Sequence, residues 1–327
     1  MNTSRSRTAA VSVAALSLAV LLVSTQAAAQ NYPTKPIRVI VPYPPGGTSD
    51  ILTRLVGAKL TEAWGQQILA DNRTGAGGNI GAELMVRAAP DGYTLMLTDI
   101  GNLVTSTILY AKLPFDLLRD FAPVVTVSYS PHLLAVHPSV PVKTVKELVA
   151  LAKSKPGKLN YAAGLGGTPH LAGLMFAQRT GINWVYIPTK GGAATSYAVA
   201  TGDADVLFLG ILQTLTHISS GKLKLIASSS AQRLSNLPDT PTVAESLPGF
   251  VTGSWQGILA PARTPPDVIA KLNNEVARVL KLNDVREVLT SQGTTPLATG
   301  PQETGRWLTE EKERWTKVVK ESGFKLE

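Results

Sequence analysis

Twice in this chain an apolar run gives way to a glycine-rich turn and then to a helical repeat of apolar residues. The first copy runs from Ile37–Val41 through Tyr43-Pro44-Pro45-Gly46-Gly47-Thr48-Ser49-Asp50 into Ile51, Leu52, Leu55, Val56 and Leu60. The second runs from Leu159-Asn160-Tyr161 through Gly166-Gly167-Thr168-Pro169-His170 into Leu171-Ala172-Gly173-Leu174-Met175. Each half also carries a second glycine pair before a helix, Gly77-Gly78 and then Gly191-Gly192. Glycine lets the backbone approach a ligand closely. The first turn of a helix holds N–H groups that have no partner within the helix. Two similar halves, each with two such helix starts, predict a cleft that grips an anion from both sides.

The segments between these turns alternate. Strand 32–43, a helix to Trp64, strand 67–70, a helix through Ala89 and strand 93–98 predict a mostly parallel sheet with helices on both faces. Asp99-Ile100-Gly101-Asn102 opens a further loop and helix. Short strands at 124–129 and 133–136 flank Ser130-Pro131, where the chain is expected to cross into a second lobe. Thr144 and Glu147 read as a capping box for a helix to Ser154. Strands 158–162, 183–187, 205–209 and 222–229 then alternate with helices 169–179, 193–200 and 211–219. Ser254–Ala260 reads as a return strand, Thr264-Pro265 as the N-cap and start of a helix with Ile269, Leu272, Val276, Val279 and Leu280 on one face, and 302–320 as a solvated outer helix. The expected fold is α/β and two-lobed, each lobe a mostly parallel sheet flanked by helices, with the cleft between lobes. Residues 30–127 with 254–327 form the discontinuous first lobe and 128–253 the second.

Composition sets the compartment. Arg5 and Arg7, the apolar run from Ala9 to Val23 and Ala27-Ala28-Ala29 have the order of a cleavable signal peptide over residues 1–29. The apolar run is short for a bilayer span, and with no cysteine in the chain there is neither a lipid attachment point nor a disulfide framework. Export without a retained membrane anchor is expected, and the resemblance described below makes the destination the periplasm. The formal charge of +8 falls to +6 without Arg5 and Arg7, and the basic residues are dispersed. That patterning argues against nucleic acid and suits an anionic solute through weak steering.

The candidate chemistry is that of binding. Gly75, Gly77 and Ile80 break the dinucleotide spacing, as do Gly164, Gly166 and Pro169, and no phosphate-loop lysine pattern is present. A carboxylate is the simpler anion. Asp50 falls in the first turn of its helix, where it complements the dipole or meets the ligand. Asp205 lines the cleft or ends a strand. His170 is the best placed of four histidines, a neutral donor or cap at a helix start. No histidine cluster has metal-site spacing, and no Gly-x-Ser-x-Gly elbow supports a Ser49, His170, Asp205 triad. No metal, no cofactor and no catalysis are expected. Of the aromatic residues, Tyr43 and Trp255 lie nearest the cleft and the lobe crossing.

Val41-Pro42-Tyr43-Pro44-Pro45-Gly46-Gly47-Thr48-Ser49-Asp50 followed by Asn72-Arg73-Thr74-Gly75-Ala76-Gly77-Gly78-Asn79-Ile80-Gly81 resembles the substrate-binding proteins of tripartite tricarboxylate transporters, also called Bug proteins. The likeness continues through Asn160-Tyr161-Ala162, His170-Leu171, Lys190-Gly191-Gly192, Gly221-Lys222-Leu223-Lys224 and Leu237–Glu245, so it spans the mature chain. It implies a two-lobed periplasmic binding protein (type II-like) that closes on small carboxylic acids. Gly46, Gly47, Thr48, Ser49 and Asp50, with Ala76, Gly77, Gly78 and Asn79, would hold one carboxylate through backbone N–H groups and water. Gly164, Gly166, Gly167, Thr168 and His170, with Lys190 and Gly191, would hold the other end. Tyr43, Asp99, Thr189 and Asp205 complete the expected ligand set. Thr74 stands where the family usually has proline, and Thr189 and Ala194 stand for a usual tyrosine and proline, so the second-lobe pocket departs from the family.

The expected function is therefore capture of a di- or tricarboxylic or aromatic carboxylic acid by hinge closure, about crossings near 128–131 and 252–256. The loaded receptor, a monomer, would be delivered to membrane transporter subunits by transient contact. Signalling to a sensor kinase, or turnover of an organic acid by a secreted hydrolase or isomerase, are the alternatives.

Overall fold

A computed structural model describes residues 32–291 and 293–324; the signal-peptide expectation lies outside the described residues. Strands β1 (Ile37–Val41), β2 (Ile68–Asn72) and β3 (Thr94–Asp99) form the parallel part of a first sheet, with β1 in the middle. Helix α1 (Thr48–Trp64) crosses from β1 to β2, and α2 (Asn79–Val86) from β2 to β3. After α3 (Ile100–Leu109) comes the long β4 (Phe121–Val136), and, from much later in the chain, β9 (Gly253–Pro261) lies between β3 and β4, antiparallel to both. The second sheet repeats the plan. Strands β5 (Asn160–Gly164), β6 (Val185–Thr189) and β7 (Val206–Gly210) are parallel about β5, and β8 (Lys224–Ser228) and β7 both pair antiparallel with β4.

Strand β4 is thus a member of both sheets. The expected break at Ser130-Pro131 does not occur: it is one strand, pairing with β9 through Pro131 and with β7 from His132 onward. Proline cannot donate to a ladder, and here the missing N–H falls where β4 exchanges partners, so a residue that reads as a strand breaker is accommodated.

Helices α4 (Val145–Ser154), α5 (Thr168–Thr180), α6 (Gly192–Thr201) and α7 (Ile211–Ser219) flank the second sheet, and α8 (Pro266–Val279) and α9 (Asn283–Ser291) flank the first. The Thr144 cap of α4 is present, but Glu147 reaches Lys143 N–H rather than Thr144 N–H, so only half of the box closes as expected. Thr264 does not cap α8. Its hydroxyl donates to the Pro261 carbonyl, and Pro265 occupies the N-cap. The apolar face of α8 is buried as its spacing predicts.

The last helix, α10 (Pro301–Ser322), is not a solvated outer helix. It buries Leu308, Trp315, Val318 and Val319, and Trp315 is wholly enclosed, with its indole N–H donating to Glu311 at 2.7 Å. Glu311 also pairs with Arg314, so the charged residues of this face are partnered within the helix. Helix α10 packs on α3 and β4 on one side and on α5 on the other, and beyond it Phe324 meets the His170 ring edge-on at 4.7 Å. The largest core cluster accordingly runs through both sheets, from Ile40 and Met96 to Phe176, Phe208 and Trp315.

Candidate functional site

A cavity of about 300 Å³ opens where the carboxyl ends of the two parallel sets face each other, the position at which open α/β sheets bind ligands. Helices begin around it on unsubstituted caps. The N-caps of α1, α5, α6 and α7 are Gly47, Gly167, Gly191 and Gly210, and none offers a side chain to the first-turn N–H groups. Those donors remain available to an anion. Gly46 and Gly191 also take positive φ, of 79° and 96°, which a side chain would oppose.

Of the residues expected to bind, Tyr43, Gly46, Gly47, Thr48, Ser49, Asp99, Thr168, Lys190 and Gly191 line this cavity. The Ala76–Asn79 turn does not. Ala76–Gly78 folds into a short 3-10 turn, and Pro42 and Tyr43 pack against Gly78, so the fourth helix start at the cavity is that of α7 instead. Asn79 is 6% exposed, with no partner for either polar atom of its amide among the described residues.

Asp50, Gly164, Gly166, Gly167, His170, Thr189 and Asp205 also lie outside the lining. Asp50 ties down the first turn: it accepts from Gly46 N–H and Asn72 Nδ2 and pairs with Arg54 at 3.0 Å. Burial pushes its carboxyl up, but those three partners outweigh burial and hold it below the usual carboxylate range. Asp205 precedes β7 at the end opposite Gly210 and accepts from Asn160 N–H at 2.7 Å, so it ends a strand rather than meeting a ligand. His170 turns into the core. Its Nδ1 accepts from Gly166 N–H, its ring stacks on Tyr186 at 4.1 Å, and burial lowers it to about 4, which keeps it neutral. Thr189 bonds Thr195 at 2.6 Å and braces the loop that carries Lys190.

Trp255 packs on Tyr129 and Trp307, away from the cavity, while its neighbours Ser254 and Gln256 line it. Successive strand residues point to opposite faces, so the aromatic residue marked the right strand and the wrong face. Asn102, His132, Gln213, Ser254 and Gln256 are cavity residues that sequence reasoning missed; alternation about Trp255 was the available signal for the last two. His132 bonds Thr252 through Nδ1 at 3.1 Å, and burial lowers its ring to about 3.

Polar groups are directed into this space. Tyr43 Oη accepts from Thr98 Oγ1 at 3.4 Å and from Asn102 Nδ2 at 3.3 Å, and burial pushes its hydroxyl up, so it stays a neutral donor. Asp99 caps α3 by accepting from Gly101 and Asn102 N–H and takes the Ser254 hydroxyl at 2.5 Å; burial nevertheless raises its carboxyl to about 6. Among the described residues, three hydrogen bonds beside the cavity join the helix starts and loops of one half to those of the other. Thr168 N–H donates to Asn102 Oδ1 at 2.8 Å, Thr105 Oγ1 to the Gly166 carbonyl at 2.6 Å, and Gln213 Nε2 to Thr48 Oγ1 at 3.1 Å.

Two sheets of mixed pairing, flanked by helices and facing each other across a cavity of glycine-capped helix starts, define an α/β periplasmic binding protein. Among the described residues no helix is long and apolar enough to cross a membrane. The family model for the tripartite tricarboxylate transporter family receptor matches residues 52–324, and the chain belongs to that family. Protein BugT of Bordetella pertussis is 34% identical over 307 residues, covering 93% of this chain and 94% of its own. Among solved structures, R. palustris Rpa4515 with adipate superposes with a TM-score of 0.85 at 34% identity, over 89% of this chain and 98% of its own. MatC from Rhodopseudomonas palustris, with bound malate, does so at 0.80 and 32%, over 88% and 100%. The family is one of solute receptors rather than enzymes.

Proposed function

We propose that this protein captures a small organic carboxylate in the cavity by closure of its two lobes and delivers it to a tripartite tricarboxylate-type membrane transporter. The observation that carries the reading is the set of glycine-capped helix starts that face one cavity from both sheets, with Lys190 beside them. Hydrogen bonds to a charged group contribute roughly 1.5–3 kcal/mol each, and donors on a fixed backbone need little reordering. The starts of α1 and α6 suit the two ends of a dicarboxylate, and relatives solved with adipate and malate support that class. The volume, at the small end of ligand pockets, fits a compact acid. The three hydrogen bonds across the cavity support a form with the lobes together, and the paired strands β4 and β9, which run between the sheets as a ribbon, suit the bend that opening needs.

A thermal-shift screen over mono-, di- and tricarboxylic and aromatic acids tests the reading, because a bound ligand raises the melting temperature by mass action. At least one acid should raise it with saturable, stoichiometric binding by calorimetry and contraction in small-angle scattering. Binding of no acid, or turnover of the bound one, would overturn it.

A further inference from the structure

One side of the cavity carries a hydrogen-bond chain whose direction is set from one end. At pH 8 Asp99 is ionised and, as a carboxylate, can only accept. It takes the hydroxyl proton of Ser254 at 2.5 Å. A hydroxyl has one proton to give, so Ser254 Oγ can then only accept, and it does so from Gln256 Nε2 at 2.9 Å. That fixes the amide of Gln256 with its Oε1 turned toward Ser49, whose hydroxyl donates to it at 2.6 Å. Ser49 has no proton left. Its Oγ receives no hydrogen bond from the described residues, and all four members of the chain line the cavity. Tyr43 is set the opposite way. Both of its acceptor positions are taken, by Thr98 and Asn102, and its proton is uncommitted. The cavity therefore offers a donor suited to a carboxylate and, from the same loop region, an oxygen that can only accept.

We propose that the ligand is a carboxylic acid bearing a hydrogen-bond donor of its own, a hydroxyl or ammonium group, and that Ser49 is the residue that reads it. The proposal rests on the carboxylate-receptor reading and narrows it. An unsubstituted acid sets a methylene against Ser49 and leaves a polar oxygen cut off from water, which costs binding. Asp99, Ser254 and Gln256 act as positioning residues: they deny Ser49 its proton and so decide which hydrogen-bond sense the ligand must supply.

The test is calorimetry at pH 8 with matched pairs: malate against succinate, 2-hydroxyglutarate against glutarate, and mandelate against phenylacetate. In the pair that binds best, the hydroxy acid should bind at least about tenfold more tightly than its partner, the scale of one good hydrogen bond. Ser49→Ala should bring that ratio to within about twofold while the unsubstituted acid binds at least as tightly as it does to wild type, because the unpaired oxygen is gone; a merely structural role for Ser49 would weaken both acids alike. Ser254→Ala, which frees the Gln256 amide to turn, is the second variant and should also lower the ratio. An unsubstituted acid that binds wild-type protein as tightly as its hydroxy partner overturns the proposal, as does a ratio that survives in either variant. Failure of every acid to bind would remove the receptor reading itself, and this inference with it.

Discussion

Thr105→Val isolates what the closed form contributes to affinity. Thr105 lies on α3, wholly buried and outside the cavity lining; its hydroxyl is 2.6 Å from the Gly166 carbonyl across the cleft and 2.9 Å from the Asn102 carbonyl of its own helix, and the shorter contact takes the proton. Valine keeps the shape and removes the donor, so the carbonyl faces a methyl group whenever the lobes are together. A neutral hydrogen bond contributes a net of roughly 0.5–1.5 kcal/mol, and a buried unpaired group costs roughly 1–3 kcal/mol. Gly166 is only half-buried, which places the loss near the lower end, at about 1–2 kcal/mol. At about 1.4 kcal/mol per tenfold, Kd should rise about 5- to 30-fold. Because Thr105 does not line the cavity, the loss should be the same factor for every acid in the panel, and it should fall on dissociation rather than association. Thr105→Ser keeps the donor and should stay close to wild type. Calorimetry of the three proteins against the tightest acids decides it. If the valine variant binds within about twofold of wild type, the cross-cleft bond does not hold the lobes together and the reasoning is wrong.

Lys190→Met removes the one lysine among the described residues that line the cavity; its effect should be about tenfold greater on dicarboxylates than on monocarboxylates of equal length, by competition calorimetry. For Asp99, the folded carboxyl at about 6 lies above the ordinary value of about 3.9, so its contribution to stability is complete below about pH 4 and is lost as pH rises through about 6. Asp99→Asn cannot ionise, so the variant's melting temperature should climb relative to wild type between about pH 4 and pH 7, and a difference that stays flat contradicts the assignment. Gly173→Ala would bring a Cβ to 2.3 Å from the Tyr161 ring, which is itself stacked on Trp184. Overpacking of this kind should cost about 1–3 kcal/mol in chemical denaturation, with ligand ranking unchanged.

What was legible in the sequence follows from the range of the forces involved. The alternation of strands and helices and the apolar face of α8 are written in neighbouring residues, and each is found where spacing puts it. The glycine-capped starts of α1, α5 and α6 were readable for the same reason. The start at Gly210 was not, because a single glycine after an apolar strand carries no distinctive pattern. The second glycine pair misled in the first half, since Gly77 and Gly78 serve a tight turn packed under Pro42 and Tyr43. His170 and Asp205 have site-like chemistry, but their partners, Tyr186 and Phe324 in one case and Asn160 in the other, are set by tertiary packing. Helix α10 was misjudged for a related cause: its charges pair within the helix, so a partly buried face reads as a solvated one.

The order in which the first sheet is completed bears on how such a chain can fold as it is made. Strand β9 lies between β3 and β4 although it is synthesised after the entire second sheet, and α10, the last helix, closes the core shared by both halves. Until residue 261 has emerged, β3 and β4 have no strand to join them; until Trp315 has emerged, that core lacks the largest fully buried side chain among the described residues. Domains ordinarily fold as units from the N-terminus during synthesis, but here no N-terminal unit is complete. That order makes the first sheet wait on a strand that follows the second, so the two halves close their common core together rather than one after the other.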